Sequence, residues 1–470
     1  MSDESTLAAS PVSAEDPLRD DDGAIREDYA ARVEKAIEGG DVEALLHLVG
    51  ELHEADAGDL IEALEPDLRP RLIELMGAAF DFAVLTEVDD SIREELLEAL
   101  APGTVAAGVR ELESDDAVYL LEDLPQDEQD AILRELPASE RAALERSLYY
   151  PEESAGRRMQ TDFIAVAPFW TVGQTIDYMR ETPDLPDRFF QIYVVDPAHR
   201  LLGTVPLDRI LRAKRPVAIS EIVEEDQRVV RATEDQEEVA RLFERYNLVA
   251  VPVIDAADRL VGVITVDDVM DVISEEADED FKALGGVQAT EELSDTVWDT
   301  AKRRFPWLLA NMFTAFLAAS VIRLFENSIE KMVALAVLMP IIASMGGNAG
   351  TQSMTIAVRA LATRELSRAN AWRVVRREVS VGVMNGLCFA IIMGALAIGW
   401  FGITDLGLVV GFAVLTVLTV AAMGGILIPL GLARLGADPA VSSGPFVTTI
   451  TDMVCFFAFL GIATFWFRLW

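Results

Sequence analysis

Five long apolar stretches follow residue 304 and constrain the fold more than any other feature of this 470-residue chain. A helix needs about 20 residues to cross the ~30 Å hydrocarbon core of a membrane, and each stretch is at least 18 residues long. Only the last one contains a charged residue, Asp452. The pattern predicts five transmembrane helices, over Phe305–Ile322, Met332–Val358, Val379–Thr404, Leu406–Ala433 and Pro439–Phe467.

The charged residues are divided unevenly between the two parts of the chain. The formal net charge is -40, but residues 301–470 contain 13 basic and 7 acidic residues, so residues 1–300 carry -46. A part this acidic repels phosphate, which disfavours binding of nucleic acid. Its expected partners are cations or basic protein surfaces. A soluble acidic part therefore precedes an apolar membrane part.

Basic residues in the short connections predict the orientation in the cytoplasmic membrane. Lys302, Arg303 and Arg304 precede the first stretch, the third connection has only Asp405, and the fourth has Arg434. This alternation places the N-terminal 300 residues in the cytoplasm and the C-terminus outside. The connection between the second and third stretches has the most basic residues: Arg359, Arg364, Arg368, Arg373, Arg376 and Arg377.

Asp452 lies near the middle of the fifth stretch, where a carboxylate costs about 2.5–3.5 kcal/mol on insertion scales. No other charged residue lies at that depth, which favours a cation-binding group facing a pore over an interhelical hydrogen bond. Thr448 precedes it by four residues and shares its helix face. Gly444 and Pro445 are expected to loosen the helix and free backbone carbonyls.

A second polar motif occurs in the run Gly346-Gly347-Asn348-Ala-Gly-Thr-Gln352. Asn348 and Gln352 present amide oxygens on one helix face, and Gly347 allows close approach; the alternative is packing of small residues with polar contacts. Oxygen ligands suit hard cations, and Mg²⁺ gives up its water reluctantly. One Asp per chain is sparse, so we expect a hydrated ion and a homodimer that doubles Asp452.

The acidic part divides into two regions of different pattern. A disordered acidic tail is expected over residues 1–24, and apolar residues at helical spacing predict an all-α superhelical domain over 25–150. An internal repeat with an offset of 59 residues follows, since Arg200-Leu-Leu-Gly-Thr-Val matches Arg259-Leu-Val-Gly-Val-Ile. Two α/β units are therefore expected over 151–217 and 218–280. They resemble tandem CBS domains, which often bind adenosine nucleotides; whether ATP binds here stays open.

Acidic residues are concentrated again where the second repeat ends. Eight of the fifteen residues over 266–280 are Asp or Glu, and Asp268 and Asp271 can share one helix face with Glu275. A solvated helix end would look similar; a divalent-ion sensor is the alternative interpretation. A break at Leu284-Gly-Gly and an amphipathic helix over 288–304 follow, giving a connecting segment over 281–304 before the membrane domain of 305–470.

This order of parts resembles the MgtE-type family of magnesium transporters or channels. The motifs that carry the resemblance are Ser154-Ala-Gly-Arg-Arg-Met, the Gly346 run, and Asp438-Pro-Ala-Val-Ser-Ser-Gly-Pro-Phe-Val-Thr-Thr-Ile-Thr-Asp452. The resemblance implies a multidomain membrane protein with an all-α N-domain, an α/β tandem CBS pair, a connecting helix and five transmembrane helices. It also implies a homodimer with a Mg²⁺ pore closed by cytoplasmic Mg²⁺.

The resemblance further implies roles for particular residues. Asp452 would select the ion, with Asn348, Thr448 and Gly347 nearby. Regulatory Mg²⁺ would be bound by Asp268, Asp271, Glu276, Glu279 and Asp280, and further by Asp235, Glu237, Glu244 and Asp116. We expect no enzymatic activity. A CBS-containing receptor that does not transport, and a proton-coupled carrier that uses Asp452, remain alternatives.

Overall fold

The computed structural model describes residues 18–20, 23–122, 124–183, 185–186, 188–224, 227–289, 291, 296–366 and 369–469. Two compact units divide the chain between Ser274 and Glu275. They are called the first unit and the second unit below. Most of the predicted acidic tail lies outside the described residues. The described end of this tail is ordered and not disordered as expected, because Leu18 is buried and Arg19 forms ion pairs with Asp56 and Asp59.

The first unit begins with short helices packed around one apolar core. Leu-Pro pairs start two of them, because Pro125 and Pro137 occupy the N-cap positions and cannot donate a backbone hydrogen bond. Ile37, Leu60 and Leu72 are fully buried in the core. The helices are α1 (Glu27–Gly39), α2 (Val42–Leu48), α3 (Glu54–Ala63), α4 (Arg69–Met76), α5 (Asp90–Ala99), α6 (Pro102–Val109), α7 (Ser114–Glu122), α8 (Gln126–Glu135) and α9 (Ala138–Leu148).

The two α/β repeats follow, and each contains a three-stranded sheet. In both, a two-residue strand pairs in parallel with the middle strand, which pairs antiparallel with the last. The first repeat comprises β1 (Ala165–Val166), α10 (Val172–Glu181), β2 (Gln191–Val195), β3 (Leu201–Pro206) and α11 (Leu207–Arg212). The second comprises β4 (Val230–Arg231), α12 (Gln236–Tyr246), β5 (Ala250–Ile254), β6 (Leu260–Thr265) and α13 (Val266–Gly285).

The 59-residue offset predicted from the sequence holds in the details of the two sheets. Asp196 and Asp255 occupy equivalent turns, and each carboxylate accepts backbone N–H groups two and four residues later. The repeats also pack together, because Tyr193, Val195 and Leu260 share one buried apolar cluster. The short strands β1 and β4 were not predicted, since two residues give no periodic signal.

The second unit consists of long apolar helices, and five of those described are long and apolar enough to cross a membrane. The predicted number of spans is therefore confirmed. α18 is the most buried and packs against α16, α17 and α19. The helices are α14 (Val297–Arg323), α15 (Glu326–Lys331), α16 (Ala334–Ala362), α17 (Ala371–Phe401), α18 (Thr404–Arg434) and α19 (Pro439–Phe467).

Two local expectations differ from the structure. The helix expected over 288–304 starts later, because Thr296 is the N-cap of α14 and its hydroxyl accepts the backbone N–H of Asp299. Residues 286–289 and 291 are not helical. The Gly444-Pro445 pair does not interrupt α19 either, and the hydroxyl of Thr448 donates to the carbonyl of Gly444 at 3.0 Å.

Candidate ion pathway and acidic cluster

A cavity of about 280 Å³ in the second unit contains the side chain of Asp452. α19 contributes Gly444, Pro445, Thr448 and Thr449 to its wall, and these positions recur at three- and four-residue spacing, so they face the same side as Asp452. α14 forms the opposite wall with Trp307, Asn311, Thr314 and Ala315, and the end of α13 adds Leu284 and Gly285, followed by Gly286.

The carboxylate of Asp452 forms neither a hydrogen bond nor an ion pair with the residues that the structure describes. The neighbouring threonine hydroxyls donate to backbone carbonyls and not to Asp452: Thr449 donates to Pro445 at 2.6 Å, and Thr448 donates to Gly444. A half-buried carboxylate without a protein partner is costly in an apolar helix. The group is therefore available to a cation that enters the cavity.

The structure brings only part of the predicted pore motif to this cavity. Asp452 and Thr448 line it, whereas Asn348 and Gly347 do not. Asn348 and Gln352 are both exposed on α16, four residues apart on one helix face. Gly350 faces the neighbouring helix instead, because a methyl group there would contact Thr451. Gly346 and Gly350 thus serve helix packing, whereas Gly347 has open space around it, and the two amides are exposed on the surface of the chain.

Asn311 and Trp307 line the cavity and were missed by the sequence analysis. Asn311 and Thr314 are three residues apart and share one face of α14, whose residues 305–319 are otherwise apolar. An isolated polar pair at helical spacing could have indicated this face. Together with Thr448 and Thr449, these residues surround Asp452 with amide and hydroxyl oxygens, which are ligands for hard cations or for their water shell.

A second group of carboxylates lies in the first unit, between the start of α7 and the start of α13. Asp116 was predicted here, together with Asp268 and Asp271, and the three are close enough to influence one another electrostatically. Asp115 was not predicted. Both of its carboxylate oxygens are buried and accept no hydrogen bond from the described residues. We call the set of Glu87, Glu113, Asp115, Asp116, Asp267, Asp268 and Asp271 the acidic cluster.

Burial and mutual repulsion shift the acid–base equilibria of this cluster. Burial raises the pKa of Asp116 to about 7, and the charges of Asp268 and Glu113 act in the same direction. Burial and the Asp268 charge also hold the pKa of Asp115 well above its usual range. The pKa of Asp268 is raised by burial, although Thr265 opposes this by donating its hydroxyl at 2.7 Å and its N–H at 3.1 Å.

Arg158, near the acidic cluster, connects the N-terminal helices of the first unit with the α/β repeats. Arg158 precedes β1 and lies over the ring of Tyr119 on α7, 5.4 Å from its centroid. The same guanidinium lies 3.8 Å from Glu122 and donates to Gln236 at 3.0 Å. Burial raises the pKa of Asp271, and the positive charge of Arg158 opposes this shift in part. The cluster is thus only partly compensated by basic side chains.

The remaining predicted sensor residues lie elsewhere. Asp235 is the N-cap of α12 and accepts the N–H of Glu237 at 2.9 Å, while Glu237 is paired with Arg241. Glu244 is exposed further along α12. Asp235 therefore caps α12 and Glu237 forms an ion pair within it, and all three residues lie outside the acidic cluster. The others continue along α13 in the second unit, where they are half-buried: Glu276, Glu279 and Asp280.

Among the described residues, no three His, Cys, Asp or Glu side chains are arranged to ligate one metal ion directly. The acidic cluster is therefore a crowded set of carboxylates and not a preformed chelate. Crowded carboxylates can be relieved by protons or by cations that bridge them.

Models of known families match four stretches of the chain. The MgtE model, described as a divalent cation transporter, matches residues 339–462, and the model of the MgtE intracellular N domain matches residues 52–153. The CBS domain model matches residues 155–215 and 219–275. The paired α/β repeats are thus CBS domains, as their resemblance implied.

Whole relatives align over most of the chain. A magnesium transporter MgtE of Thermus thermophilus is 32% identical over 448 residues, covering 93% of this chain and 98% of the relative. One of Enterococcus faecalis is 35% identical over 320 residues, covering 68% and 70%. A solved cytosolic domain of the Mg²⁺ channel MgtE in complex with ATP is 32% identical, covering 52% of this chain and 99% of that one with a TM-score of 0.47. The identity and coverage of the Thermus thermophilus relative, with the five membrane-spanning helices, show that the chain belongs to the MgtE family of multi-pass membrane proteins.

Proposed function

We propose that this chain transports Mg²⁺ across the cytoplasmic membrane as a homodimeric channel that cytoplasmic Mg²⁺ closes. The observation that carries the proposal is Asp452, a carboxylate within a transmembrane helix that faces a polar cavity and has no partner among the described residues. The choice of Mg²⁺ as the transported ion is supported by the relatives, which are named magnesium transporters.

The size and chemistry of the cavity suit a hydrated ion. A single water needs roughly 10–15 Å³ of free volume, so about 280 Å³ has room for an ion and its water shell. Asn311, Thr314, Thr448 and Thr449 can bind that shell, while Asp452 supplies the charge. Mg²⁺ keeps several waters in such sites because it dehydrates reluctantly.

A second copy of the chain would complete the pathway. Asn348 and Gln352 expose amides on a transmembrane helix, where lipid offers no hydrogen bonds. A two-fold partner that covers this face would supply partners for the amides and a second Asp452. Two such carboxylates repel each other, and a divalent cation between them relieves the repulsion.

Gating is proposed to begin at the acidic cluster. At low Mg²⁺ the carboxylates of α7 and α13 repel each other, which favours separation of the N-domain from the CBS pair. At high Mg²⁺ the ions bridge these carboxylates and stabilise the closed arrangement, to the extent that they bind it more tightly than the open one. α13 continues into the second unit and ends at Gly285, beside the cavity of Asp452.

Flux measurements on the full chain in proteoliposomes test the proposal. Asp452→Ala should abolish Mg²⁺ uptake, whereas Asp405→Asn, which also removes a negative charge from the second unit, should leave it unchanged. Equal uptake by the wild type and Asp452→Ala would overturn the proposal. Absence of uptake by both would favour a receptor, and uptake that requires a pH gradient would favour a proton-coupled carrier.

A further inference from the structure

Three exposed arginines mark the beginning of α17. Arg373, Arg376 and Arg377 lie in its first two turns, and their guanidinium groups form no ion pair or hydrogen bond with the residues that the structure describes. At spacings of three and four residues they share one helix face, which we call the basic face. In a chain with twice as many acidic as basic residues, three adjacent unpaired arginines are unusual.

The basic face points away from the helix bundle of the second unit. The buried residues of the same turns are Ala371, Val375 and Glu378, followed one turn later by Gly382. At 100° per residue, these lie on the opposite side of α17 from Arg373. The packing of α17 against α18 therefore leaves the arginines uncovered by the second unit.

The same helix face becomes apolar as α17 continues. Met384, Leu387 and Ile391 follow Arg373 by 11, 14 and 18 residues, so they lie on its side of the helix, and they are 63%, 56% and 68% exposed. Exposed apolar side chains on a transmembrane helix contact lipid tails. The arginines therefore stand where this stripe meets the headgroups, and exposed Trp372 beside them is a residue typical of that level.

We propose that the basic face is a binding surface for anionic phospholipid headgroups. Guanidinium groups bind phosphate oxygens in a bidentate manner, and each basic residue near a membrane surface strengthens binding to anionic lipid. A second copy of the chain is a poorer occupant. A two-fold contact through this face would place two sets of three arginines against each other, and like charges are repelled.

Lipid retention by the full chain tests this surface. The protein is reconstituted in nanodiscs with equal parts of phosphatidylglycerol and phosphatidylcholine and transferred to mild detergent, and the retained lipids are counted by native mass spectrometry. The wild type should retain phosphatidylglycerol preferentially, and added salt should weaken this. Each arginine should contribute about fivefold at low salt, so R373Q/R376Q/R377Q should lose most of the preference.

Two further variants make the result specific. R134Q/R141Q/R146Q removes the same charge from α8 and α9 and should retain phosphatidylglycerol like the wild type. R373K/R376K/R377K keeps the charge without the guanidinium fork and should retain an intermediate amount, which also controls for misfolding of the glutamine variant. Equal retention by the wild type and R373Q/R376Q/R377Q would overturn the proposal. So would dissociation of the dimer in that variant without a change in lipid retention, which would assign the face to a second copy.

Discussion

Gly286 lies against the indole ring of Trp307, which occupies the space that a side chain at residue 286 would need. Gly286 has a φ of +74°, in the left-handed region that favours glycine. Both residues line the cavity of Asp452. The chain leaving α13 is therefore fitted closely to α14 beside the proposed ion pathway.

Substitution of Gly286 should disturb this fit. Gly286→Ala costs about 1–2 kcal/mol from backbone conformation alone, and it forces Trp307 to move within the cavity. We expect a changed Mg²⁺ dependence of closure in patch recordings. Gly285→Ala is the matched control, since a methyl group there meets only Val287 at 3.9 Å. Identical gating curves for the two variants would contradict a role for the Gly286–Trp307 contact.

The acidic cluster should make the first unit sensitive to pH when divalent cations are removed. The pKa of Asp116 is raised from 3.8 to about 7, so its contribution to stability is fully present below the unfolded-state value and is lost as the pH rises through about 7. In a chelator, thermal unfolding of the full chain should therefore occur at higher temperature at about pH 5 than at about pH 8, by an amount that Asp116→Asn reduces. Addition of Mg²⁺ at the higher pH should restore the lost stability.

The two groups of predicted sensor residues should behave differently. D268N/D271N removes two carboxylates of the acidic cluster, so inhibition of the current by cytoplasmic Mg²⁺ should become shallower and need more Mg²⁺. Asp235→Asn should leave the inhibition unchanged, because Asn is also a good N-cap and Asp235 serves α12. If Asp235→Asn changed the inhibition as strongly as D268N/D271N, the assignment of the sensor to this cluster would be wrong.

A buried contact between α16 and α17 should stabilise the second unit. The hydroxyl of Ser353 donates to the carboxylate of Glu378 at 3.2 Å, and both residues are buried. Glu378→Ala leaves the hydroxyl without this acceptor, which costs about 1–3 kcal/mol. Glu378→Gln keeps an acceptor and should unfold near the wild-type temperature in detergent, as should the exposed Glu365→Ala. Equal losses for the alanine and glutamine variants at residue 378 would indicate that charge, not the hydrogen bond, matters.

Much of the fold could be predicted because its signals are local and periodic. Hydropathy indicated five transmembrane helices, and the 59-residue offset indicated the repeats down to the equivalent turns at Asp196 and Asp255. The start of α14 was misplaced because the amphipathic pattern before residue 297 resembles a helix. The actual start depends on the cap at Thr296.

The sites were less accessible to sequence reasoning because they depend on tertiary contacts. Asp115 and Asp116 are adjacent in the chain, and only the packing of α7 near α13 shows that both join Asp268. Asn311 belongs to the Asp452 cavity only because α14 packs against α19. Glu378 precedes the apolar stretch of its span, so its burial beside Ser353 gave no signal in hydropathy.

The reversal potential of the current through the purified full chain tests the central claim most directly. With Mg²⁺ in unequal concentrations and K⁺ in equal concentrations on the two sides of a planar bilayer, the wild-type current should reverse near the Mg²⁺ equilibrium potential. Asp452→Asn should shift the reversal towards zero, because the carboxylate that favours a divalent ion is gone. An Asp452→Asn current that reverses at the wild-type potential would contradict the assignment of ion selection to Asp452.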